Sequence, residues 1–156
     1  MKPNETKPTP IEESSGLLLT ARGVVRPLHC DHMGHMNVMW YTARFDEATW
    51  HLFHEIEITP SYMRENQRGM AGVQQDTTYK QELFAGDVIT VWSRILEIRE
   101  KVIRFHHEMR NDESQAVAAT TTLTAVHLNR ETRKSCPFMK EILERGRLMI
   151  SADKKP

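Results

Sequence analysis

The sequence predicts an α+β domain in which a curved antiparallel sheet cradles one long helix. Three observations carry this reading. A long apolar-rich stretch with helical spacing runs from Val38 to Ile56, four β-type segments joined by short turns follow it, and 156 residues suit a single domain.

The elements follow in chain order. Residues 1–16 hold three of the seven prolines and few large apolar side chains, so they read as a flexible tail, with the domain spanning 17–150 and a C-terminal tail over 151–156. Leu17 to Leu28 is aliphatic and β-branched enough for a strand, and its breakers Gly23 and Pro27 suggest a bend and an edge position. In the helix, Tyr41, Phe45, Ala48 and Leu52 recur at steps of four, three and four, widened by Thr49, Phe53 and Ile56. Asn37 stands before it as a good N-cap. With Trp40 and Trp50 added, the helix is apolar around more than half its girth and is expected to be largely enclosed.

Thr59 and Pro60 open a short helical turn over Ser61–Asn66. Strands are expected over Met70–Leu83, Asp87–Glu97, Lys101–Arg110 and Gln115–Leu128, as a meander of antiparallel neighbours. In the third of these, Ile103, Phe105, His107 and Met109 share one face. The threonine-rich fourth suits a central strand packed closely on a helix. A terminal helix over Phe138–Ile150 is expected to break near Gly146.

Composition narrows the function. With 21 basic and 21 acidic side chains the formal net charge is zero, which gives no global handle for nucleic acid or anionic lipid. The two cysteines, Cys30 and Cys136, make no disulfide framework, no apolar run approaches a membrane span, and the opening residues lack a secretory signal, so a cytoplasmic setting is expected. One count stands out. Of eight histidines, three fall between His29 and His35.

That cluster sits in His29-Cys30-Asp31-His32-Met33-Gly34-His35-Met36-Asn37, which places a carboxylate six residues before the N-cap, with Gly34 allowing a sharp turn between them. A helix N-terminus offers free N–H groups and partial positive charge that can polarise a carbonyl, and a carboxylate beside it can serve as nucleophile or general base.

Asp31, Gly34, His35 and Asn37, followed by Tyr41 and Phe45 on an aromatic-rich helix, form an Asp-x-x-Gly-His-x-Asn pattern. It resembles the 4-hydroxybenzoyl-CoA thioesterase family of hotdog-fold proteins, and Tyr79, Leu83 and Gly86-Asp87 look like that family's later strand and turn. The resemblance spans about residues 18–130. It implies a hotdog fold, edge-to-edge pairing of subunits as a homodimer or dimer of dimers, and hydrolysis of acyl-CoA thioesters. CoA is then part of the substrate, and no cofactor is expected. By the same resemblance Asp31 is the catalytic carboxylate, and the carbonyl-polarising amide falls at about Asn37. Gly34 and His35 match the Gly-His step, whereas Val38 stands where many members carry a second Asn.

His35 is a candidate base or a histidine that fixes the loop. His29, His32 and His35 with Asp31 invite a metal, but steps of three through a Gly turn define no ligand geometry, so none is expected. His51 and His54 read as a solvated helix face. Trp40 and Tyr41 are candidate acyl-pocket residues. Arg130 and Arg133, with Lys134, form a basic turn that either meets the phosphates of CoA or is simply solvated. Two rival functions share the fold. A hydratase or dehydratase of enoyl or hydroxyacyl thioesters has the usual signature Asp-x-Asn-Pro-x-His, which Asp31–His35 does not match. A non-catalytic acyl-CoA binding protein would have no need of Asp31.

Overall fold

A computed structural model describes Ile11 and residues 15–152. The element order is β1 (Leu18–Val24), a single 3-10 turn (Pro27–His29), α1 (Val38–Glu55), α2 (Pro60–Glu65), β2 (Arg68–Tyr79), β3 (Val88–Ile98), β4 (Val102–Asn111), β5 (Val117–Asn129) and α3 (Lys140–Ala152). The expected N-terminal tail and the last four residues fall almost wholly outside the described residues. β1 ends at Val24, and Pro27, which has no N–H to donate, opens the 3-10 turn that follows.

All five strands form one antiparallel sheet in the order β1-β3-β4-β5-β2. β1 takes the edge position that its glycine and proline suggest. The expected four-strand meander is corrected. β3, β4 and β5 do run as neighbours, but β2 pairs with β5 at the far edge, from Arg68↔Asn129 to Tyr79↔Ala119. The reason lies in where β2 stops. It ends at Tyr79, not Leu83, so the chain from Lys80 to Asp87 is long enough to cross the end of the sheet, a span of roughly 14 Å at the usual strand spacing. The crossing is pinned along its length. The Lys80 and Gln81 N–H groups donate to Ala118 O, the Met36 N–H donates to Leu83 O, and Gly86 and Asp87 bond the backbone of Val25. Leu83 is buried beneath it.

The helix lies in the hollow of the sheet and divides the core in two. Its C-terminal half (Leu52, Phe53, Ile56) packs with Ile95, Ile103, Phe105, Phe138 and Ile142. Its N-terminal half (Tyr41, Phe45, Ala48) packs with Ala21, Val91, Met109 and Ala119. The expected inward face of β4 is buried throughout. Enclosure of α1 is incomplete, however: Val38, Met39 and Trp50 are 55%, 60% and 43% exposed. The terminal helix does not break at Gly146. A Cβ there would lie 2.9 Å from Ile98 Cδ1, so the glycine serves the close approach of α3 to β3 rather than a helix end.

A belt of buried polar groups crosses the core between the two clusters. Thr20 Oγ1 meets Ser93 Oγ at 2.5 Å, Ser93 Oγ meets His107 Nδ1 at 2.5 Å, and His107 Nε2 meets Thr49 Oγ1 at 2.8 Å. Thr49 in turn donates to Phe45 O at 2.9 Å and Thr20 to Val91 O at 3.1 Å. The belt ties β1, β3, β4 and α1 together without leaving a buried polar atom bare. Burial pushes the His107 imidazole down to about 3, so the ring is neutral in the folded protein.

Two outcomes follow from this belt. Thr49→Val strips His107 Nε2 of its partner and should cost about 1–3 kcal/mol of unfolding free energy, whereas Thr49→Ser should cost much less. The unfolded chain binds a proton on His107 near its ordinary pKa and the folded chain does not. Stability must therefore fall as pH drops from about 6.5 towards 3, by up to ~1.4 kcal/mol per pH unit from this group. Urea unfolding at pH 7 and pH 5 should show a smaller loss in a His107→Gln protein, and equal losses would contradict the assignment.

Candidate active site

The loop between β1 and α1 is a closed turn built on its own backbone. Cys30 and Met36 form an isolated antiparallel bridge, the Asp31 N–H donates to His35 O at 3.2 Å, and the Gly34 N–H donates to Asp31 O at 3.0 Å. Gly34 has φ of +84°, the left-handed region that a side chain rarely adopts, so its part in the site is conformational. The turn returns the chain to the helix start with Asp31 beside Asn37.

Asn37 holds both. Its Oδ1 accepts from the Met39 N–H at 2.9 Å, capping α1, while its Nδ2 donates to Asp31 Oδ2 at 2.7 Å. The other carboxylate oxygen of Asp31 accepts from the Met33 N–H at 2.8 Å. These two donors, Asn37 first, draw the Asp31 pKa below its ordinary value. The carboxylate is thus ionised, fixed in orientation and open to solvent on its remaining face. The two backbone amides where α1 begins differ in their bonding. Asn37 N–H donates to His29 O at 2.9 Å and is occupied; the Val38 N–H, first of the helix proper, makes no hydrogen bond among the described residues. A free amide with the positive end of the helix dipole behind it therefore follows directly on the asparagine that holds the ionised Asp31.

A hollow of about 230 Å³ opens next to this pair, lined among others by His35, Met36, Val38, Tyr41, Tyr79 and Glu82. Tyr41 is buried there, meets Tyr79 edge-on at 5.2 Å between ring centroids, and donates its hydroxyl to Gln81 O at 3.1 Å. Burial pushes its phenol up to about 12, so it remains a neutral donor. His35 Nδ1 lies 3.4 Å from Met36 O and its Nε2 lies 3.5 Å from Glu82 Oε1. A larger, open hollow of about 440 Å³, lined by Glu47, Trp50, His51, His54, Ile58 and Pro60, lies on the other half of α1.

Several expected site residues do not join this group. Trp40 packs against the buried ring of His29, 4.3 Å between centroids, and helps to close the core; it does not line the hollow, because it faces away from Tyr41 around the helix. His29 accepts from the Arg26 N–H through Nδ1, so the loop histidines do not converge, and no group of three or more metal-binding side chains does so among the described residues. Arg130 and Arg133 lie at the Arg68 end of β2, opposite the Tyr79 end that borders the hollow. Glu82 escapes sequence reasoning because it ends an ordinary polar run, Lys80-Gln81-Glu82, and only the crossing of residues 80–87 carries it to His35.

The model of the thioesterase-like superfamily matches residues 25–146. No curated protein matches the sequence. Solved structures do match in fold. A Staphylococcus aureus protein in complex with CoA superposes with a TM-score of 0.83 at 19% identity, over 96% of this chain and 92% of that one. The DHNA-CoA thioesterase of Staphylococcus aureus gives 0.76 at 15% identity, over 84% and 89%. The 1,4-dihydroxy-2-naphthoyl-CoA thioesterase of Synechocystis gives 0.72 at 15%, over 88% and 98%. These likenesses identify the fold as the hotdog fold.

The double role of Asn37 is separable by mutation. Asn37→Ser keeps a capping oxygen but replaces the Nδ2 amide that reaches Asp31 with a hydroxyl of shorter reach, so Asp31 should titrate closer to its ordinary value by carboxyl NMR with little change in thermal stability. Asn37→Ala should also lose about 1 kcal/mol through the cap. An Asp31 titration unchanged in both proteins would contradict the geometry.

Proposed function

The chain belongs to the thioesterase-like superfamily, and we propose that it hydrolyses an acyl-CoA thioester, with Asp31 as the reacting carboxylate. The observation that carries this is the pairing of an ionised, doubly held Asp31 with the open Val38 N–H. A thioester carbonyl set with its oxygen on that amide gains stabilisation as charge develops on the oxygen. Its carbon then faces Asp31. Asp31 either adds to the carbon, expelling the CoA thiolate and leaving an acyl anhydride that water cleaves, or takes a proton from a water that adds instead. Both routes need the same two groups and give free acid and CoA. After a single turnover in ¹⁸O-labelled water, label in Asp31 would establish the anhydride route, since it enters only when water adds at the Asp31 carbonyl of the anhydride.

Tyr41, Tyr79 and Met36 supply the apolar wall for the acyl group. His35, paired with Glu82, stands at the rim, where it can hold the loop or pass a proton. The fold leaves β2 as a free edge of twelve residues, with Val73 61% exposed and Gln74, Gln75 and Asp76 also open. Unpaired edges of this length invite another strand, and we take the occupant to be the β2 of a second subunit. Such pairing would extend the sheet across a two-fold axis and cover the exposed Tyr79 beside the hollow.

Asp31→Ala and Asp31→Asn should reduce thiol release from acyl-CoA by about 10²–10⁴-fold with the fold intact, measured against an enzyme-only blank for Cys30 and Cys136. An active Asp31→Ala protein would overturn the assignment. Hydration of an enoyl-CoA without CoA release would point to the hydratase reading, and tight binding of CoA esters without turnover by the unaltered protein to the binding reading. Light scattering should give a dimer or larger; a monomer would contradict the β2 pairing.

A further inference from the structure

We infer that His29 is a positioning residue for the proposed hydrolysis: its neutral ring locks the Asp31 loop onto the first turn of α1, and a proton on that ring releases the loop. The inference rests on the assignment of Asp31 and the Val38 N–H to the chemistry, and it names what holds those two groups in place at neutral pH.

His29 joins three pieces of chain. It closes the 3-10 turn, where its Nδ1 accepts from the Arg26 N–H at 3.0 Å and its own N–H donates to Arg26 O at 2.9 Å. Its carbonyl accepts from the Asn37 N–H at 2.9 Å, next to the Cys30 and Met36 bridge that shuts the Asp31 turn. Its ring lies on Trp40 in the first turn of α1, with centroids 4.3 Å apart. Arg26, Pro27 and Leu28 before it are exposed, and Cys30 and Asp31 after it are half-buried, so the buried His29 side chain is the anchor of this stretch. Asn37 is thus held twice, through its backbone N–H by His29 and through its side chain by Asp31. Because the first bond occupies the Asn37 amide, the Val38 N–H is the one left open.

The ring can do this in one protonation state. Nδ1 faces an N–H, so it must be bare, and the single ring proton sits on Nε2. A second proton would enter at Nδ1, against the Arg26 N–H, and turn that hydrogen bond into a repulsion. The charges that act on the ring are cations, Arg44 on α1 and Arg26 on its own turn. Of the carboxylates on the loop and the nearby half of α1, Asp31 is turned to Asn37 and the Met33 N–H, Glu47 to Arg44, and Asp46 is exposed. The face of Trp40 favours a cation weakly, but burial first, then Arg44 and Arg26, bring the His29 pKa below its ordinary 6.5. The proton therefore favours the released loop: the lock holds at pH 7 and is lost as pH falls below 6.5, whereas Asp31 takes up its own proton only below 3.8.

Two substitutions divide the duties of the ring. His29→Asn sets an oxygen the same number of bonds from the backbone as Nδ1, so the Arg26 N–H keeps an acceptor that does not titrate. His29→Phe keeps a flat ring for Trp40 and removes the acceptor.

The test combines a pH profile with a reporter that needs no turnover. In the unaltered protein, kcat for acyl-CoA should fall along an acid limb below pH 6.5 with KM little changed. In His29→Asn the limb should move down by about one pH unit or more, with kcat at pH 8 kept within about threefold. His29→Phe should lose about tenfold or more of kcat at every pH, through misplacement of the reacting groups. An acid limb that stays in place in His29→Asn would overturn the inference, as would equal losses in the Asn and Phe proteins across the whole range. Trp50→Phe/Trp92→Phe leaves Trp40 as the single tryptophan. Its emission should be quenched as the ring beside it gains charge, with the midpoint of the kcat limb, and adding His29→Asn should abolish the change. Trp40 emission that is constant between pH 8 and 4.5 would overturn the inference too. The two readings fail separately: if the unaltered protein hydrolyses no acyl-CoA, hydrolysis falls, while a Trp40 titration that His29→Asn abolishes still supports the hold of His29 on the start of α1.

Discussion

The site depends on one side chain that makes two hydrogen bonds. Asn37 closes the first turn of α1 with its oxygen and grips Asp31 with its nitrogen. The first bond fixes where the helix begins, and therefore which amide is left open at its end. The second fixes a carboxylate against that same end and keeps it ionised. An aspartate at such a cap would serve only the first role, because an ionised carboxylate has no proton to donate, and a serine offers one oxygen where asparagine offers a separate acceptor and donor.

The rest of the fold holds that end still. The belt from Thr20 through Ser93 and His107 to Thr49 joins three strands to the middle of α1, and the crossing segment ties Met36 to Leu83 just before the cap. A neutral buried imidazole suits the belt in one tautomer: its Nε2–H donates to the Thr49 oxygen, whose own proton goes to Phe45 O, and its bare Nδ1 accepts from the Ser93 hydroxyl. The site thus rests on a helix anchored at its centre and at its start, with its loop closed on itself through Gly34.

Much of this was legible in the residues, and the failures have definite causes. The period of α1, the cap at Asn37 and the inward face of β4 all reflect local rules, and they hold to within a residue. The order of the strands does not, because pairing partners are chosen by long-range packing. Nothing local in Tyr79-Lys80-Gln81-Glu82 says that the chain stops pairing there and crosses the sheet. Gly146 misleads for a related reason: its small size answers to Ile98 across a helix-strand contact, which sequence spacing does not reveal. In the site, the turn at Gly34 sets Asp31 on Asn37, and His35 and Tyr41 line the hollow next to them. Trp40 turns away into the core, since adjacent helix positions point about 100° apart. Arg130 and Arg133 are separated from Asp31 by the length of β2, a distance that no count along the chain between them would disclose.

The proposed hydrolysis requires the start of α1 to bind a thioester carbonyl facing Asp31. A crystal structure of the Asp31→Asn protein with an acyl-CoA tests it most directly. The carbonyl oxygen should lie within hydrogen-bond distance of the Val38 N–H, with the carbonyl carbon towards residue 31. An acyl-CoA bound with its thioester elsewhere, for instance in the hollow lined by Trp50 and His54, would contradict the account.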